Sequence, residues 1–319
     1  MELRDRVAHR IKLRNLRLLE AVVRLRSMAK AASELNISQP AVSKAMGELE
    51  HAVGAKLVDR SRQGIEPTPH GLALLRHGSI IFDELRQGVA ELESLSDPTA
   101  GEVRIGGSSA TNVGIISAVI DRLSRLHPRM TFHIVTPGPA MHYHALRERT
   151  LDIVIAGMYA PVTEPDIASE ILYDDQLVIV TASSNPWARR RKIKLSELAN
   201  EPWALIPDDT RAGAAIIAAF RANGLETPRR TVTTPSVHLR NALLDTGRFL
   251  TVMQRSLVQL PVKHPSLKVL PLDLGATRRP TVLLTLKNRT LSPAAKLFVE
   301  CAREVAKPLA TASRRRRAI

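Results

Sequence analysis

Apolar residues recur at helical spacing through the first quarter of the chain, in four separable pieces. Leu16, Leu19 and Val23 mark one face of an amphipathic helix over Leu13 to Leu25, behind a charged arm at residues 1–11. From Ser27 to Met46 the pattern predicts two short helices joined by a tight turn. Ala31 and Ala32 are small enough for close helix approach, and Leu35, Ile37, Val42 and Met46 supply apolar anchors. Ser38 stands where an N-cap belongs, and Pro40 falls in the first turn, where a missing N–H does no harm. The second helix then buries Val42, Met46, Leu49 and Val53 until Gly54 ends it. Lys56 to Thr68 reads as a β-hairpin wing with its turn at Gln63-Gly64. His70 to Ser96 is a long helix without proline. Leu75, Phe82 and Val89 repeat every seven residues along it, and Leu85 and Leu92 fill the complementary series, as in a short coiled-coil seam. Gly78 and Ser96 weaken its ends, and a packed intrachain helix could carry the same stripe.

Asp97-Pro98-Thr99-Ala100-Gly101 breaks the helical pattern. Beyond it, short apolar strands alternate with helices. The strands are expected at Val103–Ile105, Thr131–Val135, Ile153–Ala156, Leu177–Thr181 and Thr281–Leu286, the helices at Val113–Leu126 and Ala214–Asn223. This predicts an α/β domain with a largely parallel sheet behind an all-α N-terminal part.

The outer face of the helix that starts at Ser38 carries Gln39, Ser43 and Lys44. Short or flexible polar groups at a helix N-terminus are the layout of a helix-turn-helix recognition helix, whose leading residues enter the major groove. A helical hairpin with a merely solvated polar face shares that periodicity. Arg60 and Arg62 in the wing suit phosphate or minor-groove contact, with a solvated loop as the alternative. A two-fold operator requires a dimer, which favours the coiled-coil reading of the long helix.

The run LRNLRLLEAVVRL, the core SQPAVSKAMGELE and the wing GAKLVDRSRQGIEPTPHG together resemble the N-terminal domain of LysR-type transcriptional regulators, without a break from about Leu13 to Gly71. The likeness continues through EVRIGGSS, LDIVIAG, LYDDQLVIV, LSELANEPWALI and LSPAAKLFVECAREV. It implies a winged helix-turn-helix domain at 11–68, a linker and dimerisation helix at 69–99, and an effector-binding domain at 100–310. That last domain would be two-lobed and similar to periplasmic solute-binding proteins, with lobe I at about 100–173 and 276–308 and lobe II at about 174–272. The resemblance implies double-stranded promoter DNA, a small-molecule effector, RNA polymerase and a second copy of the chain as partners, with a tetramer built as a dimer of dimers. It implies DNA contacts by Lys30, Ser38, Gln39, Pro40, Ser43, Lys44, Arg60 and Arg62. One departure stands out: a second glycine usually follows Gly247, and this chain has GRFLTVMQR with Phe249 there. That variant looks most like regulators of aromatic-acid or sugar uptake and breakdown, which suggests an anionic effector, an aromatic acid or sugar-derived.

Gly106-Gly107-Ser108-Ser109-Ala110 follows a strand and opens a helix, where backbone N–H groups and the helix dipole favour an anion. Ser108 or Ser109 could equally do no more than cap that helix. The resemblance makes Ser108, Ser109 and Asn112 cleft-lining candidates. It adds Ser236 and His238 from a similar turn, and Thr136, Gly157 and Asp209 from other predicted strand ends. His142 and His144 point to different faces of a helix and have no third partner at a suggestive spacing, so no metal is expected. Gly106-x-Ser108-x-Ala110 lacks the final glycine of a nucleophile elbow, and nothing marks which of His238, His264 or Asp245 would complete a triad. No lysine follows the glycines as a Walker loop requires. Neither an enzyme nor a cofactor is expected; the alternative is an intracellular binding protein or α/β hydrolase with a basic docking head.

Charge changes this picture only slightly. Lys plus Arg number 46 against 31 Asp plus Glu, for a net +15, which attracts polyanions. Residues 1–68 hold 13 of those cations against 8 acids, so net charge alone does not locate the DNA-binding part. The runs Arg189–Lys192 and Arg314–Arg317 read as solvated, though either could reach DNA. One cysteine, Cys301, permits no internal disulfide, and no apolar run is long enough to span a membrane. With no signal-peptide core at the N-terminus, a cytoplasmic location is expected.

Overall fold

The computed structural model describes residues 10–61, 64–97, 99–136, 138, 141–226, 228, 230–260, 266–275 and 277–315. They fall into two compact units that divide between Gly88 and Val89.

In the first unit, helix α1 (Leu13–Leu25) buries Leu16, Leu18, Leu19 and Val22 and backs the pair α2 (Met28–Glu34) and α3 (Gln39–Val53). Ser27 caps α2 by accepting the Lys30 amide at 3.3 Å, and Ser38 caps α3 by accepting that of Ala41 at 3.3 Å. Ala31, Ala32, Val42, Met46 and Leu49 all join one core. Ile37, expected among its anchors, is instead 44% exposed on the turn, because the left-handed Asn36 beside it redirects the chain. Gly54 ends α3 at φ +77°, the left-handed conformation glycine adopts without cost. Strands β1 (Val58–Ser61) and β2 (Gly64–Pro67) form the wing, an antiparallel hairpin.

Helix α4 (Pro69–Ser96) is the long one. Its heptad series splits. Leu75 packs half-buried on the first unit's core, and the Arg17 guanidinium lies 5.3 Å from the Phe82 ring centroid. Gly78, expected to weaken the seam, is buried against the Leu16 side chain. Leu85, Val89, Leu92 and Leu95 remain exposed.

The second unit holds two five-stranded sheets. In lobe I the order is β4 (Arg129–Val135), β3 (Ala100–Gly107), β5 (Ile153–Gly157), β12 (Arg279–Leu286) and β6 (Ile167–Asp175). In lobe II it is β11 (Leu267–Val269), β7 (Leu177–Ala182), β10 (Leu250–Gln254), β8 (Trp203–Leu205) and β9 (Arg230–Thr233). The sheets are mixed, not largely parallel. In lobe I, β3 runs parallel to β4 and β5, but β12 is antiparallel to β5 and β6. The reason lies in the connectivity: β6 carries the chain out of the lobe and β12 brings it back. Five strands, β6, β8, β9, β10 and β11, are not among those the pattern predicts.

The helix expected at Val113–Leu126 is broken. After a cap at Ser108 come a short turn over Ser109–Thr111 and a π-helical turn over Asn112–Ile116, before helix α5 (Ser117–Leu126). Gly114, at φ −84° and ψ −105°, makes the kink. A helix α6 (His142–Arg147) precedes β5, and α7 (Arg211–Ala222), α8 (Val237–Asp245) and α9 (Ser256–Gln259) pack on lobe II. The C-terminal α10 (Pro293–Arg315) returns to lobe I, burying Ala295, Phe298 and Ala302 beside Val103 and Ile105. Among the described residues, no helix is long and apolar enough to cross a membrane.

Candidate functional site

The first candidate site is the outer face of α3. Val42, Met46 and Leu49 point into the core, which turns Gln39, Pro40, Lys44 and Glu48 outward, with Ser43 half-buried at the edge. Lys30 is exposed on α2 and Arg60 on β1. Arg62 lies outside the described residues.

The wing is fixed to these helices by specific bonds. The Glu50 carboxylate, near the end of α3, accepts the Leu57 amide at 2.9 Å and the Lys56 ammonium at 2.8 Å. Burial pushes the Glu50 carboxyl up, but these bonds outweigh it and hold the group below its ordinary value. The Arg26 carbonyl accepts the Ile65 amide at 3.2 Å, and the Arg26 side chain pairs with Glu66. A polar helix start and an arginine-bearing hairpin therefore sit on one small rigid frame.

The second candidate site is a cleft between the lobes, about 520 Å³ counted out to its open mouth. Its wall comes from strand ends of both sheets and from the two crossovers. Ser108, Thr111, Gly157 and Tyr159 line it from the first half of lobe I, with Thr277, Arg279 and Thr281 from the returning segment. Gln176, Leu177, Ala215 and Gln254 close the lobe II side, and Asp175 and Ser256 meet at the hinge.

Two of the expected residues, Ser108 and Gly157, line this cleft. Ser108 accepts the Thr111 amide at 3.2 Å, so it caps its turn and faces the cleft at once. Ser109, Asn112, Thr136, Asp209, Ser236 and His238 lie outside the wall. Asn112 donates to the Thr136 hydroxyl at 2.9 Å, and Ser236 caps α8 by accepting the Leu239 amide at 3.2 Å. Asp209 and His238 are exposed. Phe249, the departure from the family pattern, is half-buried and also outside the cleft. The Ser108 hydroxyl neighbours that of Thr111 at 3.1 Å, and His264 lies outside the described residues. Among the described residues, no three His, Cys, Asp or Glu side chains group as metal ligands.

Sequence reasoning missed Tyr159, Asp175, Gln176, Gln254 and Arg279. The Arg279 guanidinium carbon lies 3.6 Å from the Tyr159 ring centroid, a close cation–π contact. Its Nη1 is shielded from water without a hydrogen-bond partner, and burial lowers the guanidinium from its ordinary value. Asp175 is fully engaged elsewhere, by the Gln176 amide at 2.9 Å and by the Ser256 hydroxyl at 2.5 Å. The cleft thus holds an arginine without a carboxylate partner among the described residues, ringed by hydroxyls and amides.

A family model described as "Bacterial regulatory helix-turn-helix protein, lysR family" matches residues 13–72, and one described as "LysR substrate binding domain" matches 96–307. The HTH-type transcriptional regulator GbpR of Azospirillum brasilense is 29% identical over 90% of this chain and 84% of its own length. The regulator PcaQ of Agrobacterium fabrum is 27% identical over 94% and 96%. Among solved structures, a full-length OxyR variant from Pseudomonas aeruginosa has the same fold at a TM-score of 0.61 and 18% identity, covering 95% of this chain and 97% of its own. Full-length CbnR complexed with its target DNA matches at 0.51 and 21%, over 93% and 100%.

Proposed function

The chain belongs to the LysR family of bacterial transcriptional regulators, and we propose that it reads a two-fold operator as a dimer and responds to a small anion held between its lobes. The observation that carries the DNA reading is the sidedness of α3: Val42, Met46 and Leu49 are buried while Gln39 and Lys44 face outward from a capped N-terminus. A helix aimed this way offers its first turn to base edges in the major groove. Gln39 and Ser43 read bases, helped by Lys44 at the groove edge. Ser38 accepts an amide with its oxygen and keeps its hydroxyl proton for a phosphate, as Lys30, Arg60 and Arg62 supply phosphate charge. Pro40 places its ring in that same turn.

Two heads need two chains, and the exposed Leu85, Val89, Leu92 and Leu95 of α4 form the pairing stripe. Likeness to the family supports extending this reading to a dimer of dimers and to contact with RNA polymerase. Anion binding in the cleft shifts the relative placement of the linker helices, and so the DNA geometry. Arg279 favours an anion because its Nη1 lacks a partner among the described residues.

Salt-titrated binding of the intact chain to duplex DNA from upstream of its own and neighbouring coding regions tests this reading. Selective retention of one fragment as salt rises supports it. Binding equal to that of random duplex at every salt concentration overturns it.

A further inference from the structure

Tyr159 carries two cations on one ring. Arg279, the first residue of β12 in lobe I, lies 3.6 Å from the ring centroid, and Arg211, the first residue of α7 in lobe II, lies 6.0 Å from it. Both positions are fixed by backbone. Thr210 caps α7 by accepting the Gly213 amide at 3.0 Å, and a Cβ at Gly213 would meet the Pro207 carbonyl oxygen at 2.0 Å, so α7 starts where it does by close packing. Arg279 is held in the β6–β12 ladder opposite Asp175. Among the described residues, no ion pair is seen for the Arg279 or the Arg211 guanidinium. Burial also raises the Tyr159 hydroxyl above its usual range, the two arginines opposing it, so the ring is a neutral spacer at neutral pH.

We infer that the cleft's effector is a small molecule carrying two negative charges, a dicarboxylate or a phosphomonoester, which bridges Arg279 of lobe I and Arg211 of lobe II around Tyr159. This rests on the cleft being the effector site and adds the ligand's charge and its two anchors. Two like charges facing one ring across an open cleft repel, and a dianion between them converts that repulsion into charge-assisted hydrogen bonds from both lobes. A monoanion satisfies one guanidinium and leaves the other lobe untethered. Arg279 is thus the anchor in the wall and Arg211, one turn before the wall residue Ala215, the closing arm at the rim.

Isothermal titration of the full chain with malonate, succinate, glutarate and glycerol phosphate, against butyrate and butyramide, tests the inference. At least one dianion should bind about tenfold or more tighter than butyrate. Arg211→Gln should erase that preference, and Arg211→Lys should restore part of it. Equal affinity for mono- and dianions, no binding of any dianion, or a preference that survives Arg211→Gln each overturns it. If ligands bind but neither Arg279→Gln nor Gln254→Leu alters any affinity, the cleft reading itself fails. Unchanged thermal midpoints of the variants exclude misfolding as the cause.

Discussion

Ser256 donates its hydroxyl to the Asp175 carboxylate at 2.5 Å and its amide to the other oxygen at 3.2 Å, joining two points 81 residues apart. Asp175 ends β6 where the chain first leaves lobe I, and Ser256 opens α9 in lobe II, so the bond spans the hinge of the cleft. These bonds favour the carboxylate, but burial outweighs them and raises the carboxyl above its ordinary range.

The sign of the resulting pH dependence follows from linkage. A folded carboxyl raised above its unfolded value binds its proton more tightly when folded. Its stability contribution is therefore complete below the unfolded value and is lost as pH climbs through the raised one. Asp175→Asn removes that loss and keeps an acceptor for Ser256. Denaturant unfolding from pH 4 upward should show wild type falling relative to Asp175→Asn as pH rises; a difference independent of pH would contradict this. Tyr173, which lies beside Asp175 and whose hydroxyl is pushed up to about 12, stays neutral throughout.

Gly71 begins α4 against the wing. A Cβ there would lie 2.0 Å from the Leu57 carbonyl oxygen, and Thr68 closes the same corner by accepting the Gly71 amide at 3.1 Å. Gly71→Ala should destabilise the first unit by about 1–3 kcal/mol or more, the usual cost of overpacking. Gly88→Ala, in the same helix with nothing within 4 Å, should be neutral or stabilising by about 1 kcal/mol. Thermal unfolding of both variants checks the contrast.

Leu85 and Leu92 of α4 are 47% and 66% exposed. Replacing both with Glu should shift the chain from dimer or higher oligomer to monomer in sedimentation equilibrium, with little change in helix content. Specific DNA affinity should fall by about 10² or more as two-headed binding is lost. An unchanged mass would place the pairing surface elsewhere.

The head was legible because its signals are local. Ser38, Pro40 and Gly54 fix the ends of one helix, and the spacing of Val42, Met46 and Leu49 fixes its inner face. Long-range placement was not. Ile37 reads as an anchor by hydropathy, yet the left-handed Asn36 turns it outward. Leu75 and Phe82 obey the heptad rule but fold back on the head, because its core and Arg17 offer them a nearer surface. In the cleft, Ser108 stands at a strand-to-helix turn and Gly157 at a strand end, positions that local pattern marks. Arg279 and Gln176 stand instead beside the crossovers. Nothing in the local pattern around RRPTVLL or DDQLVIV announces that those two segments, about 100 residues apart, form one wall.

On the proposed reading, the first turn of α3 lies in duplex DNA and reads it. The most direct test measures Gln39→Ala and Arg60→Ala on the cognate operator, on operators changed one base pair at a time, and on random duplex across a salt series. Gln39→Ala should lose about 1–3 kcal/mol on the operator and flatten the preference at one base pair per half-site. Arg60→Ala should weaken all duplexes alike and reduce the salt slope by about 1 per head. If Gln39→Ala instead lowers affinity equally on operator and random DNA, with preference intact at every base pair, the face of α3 does not read bases.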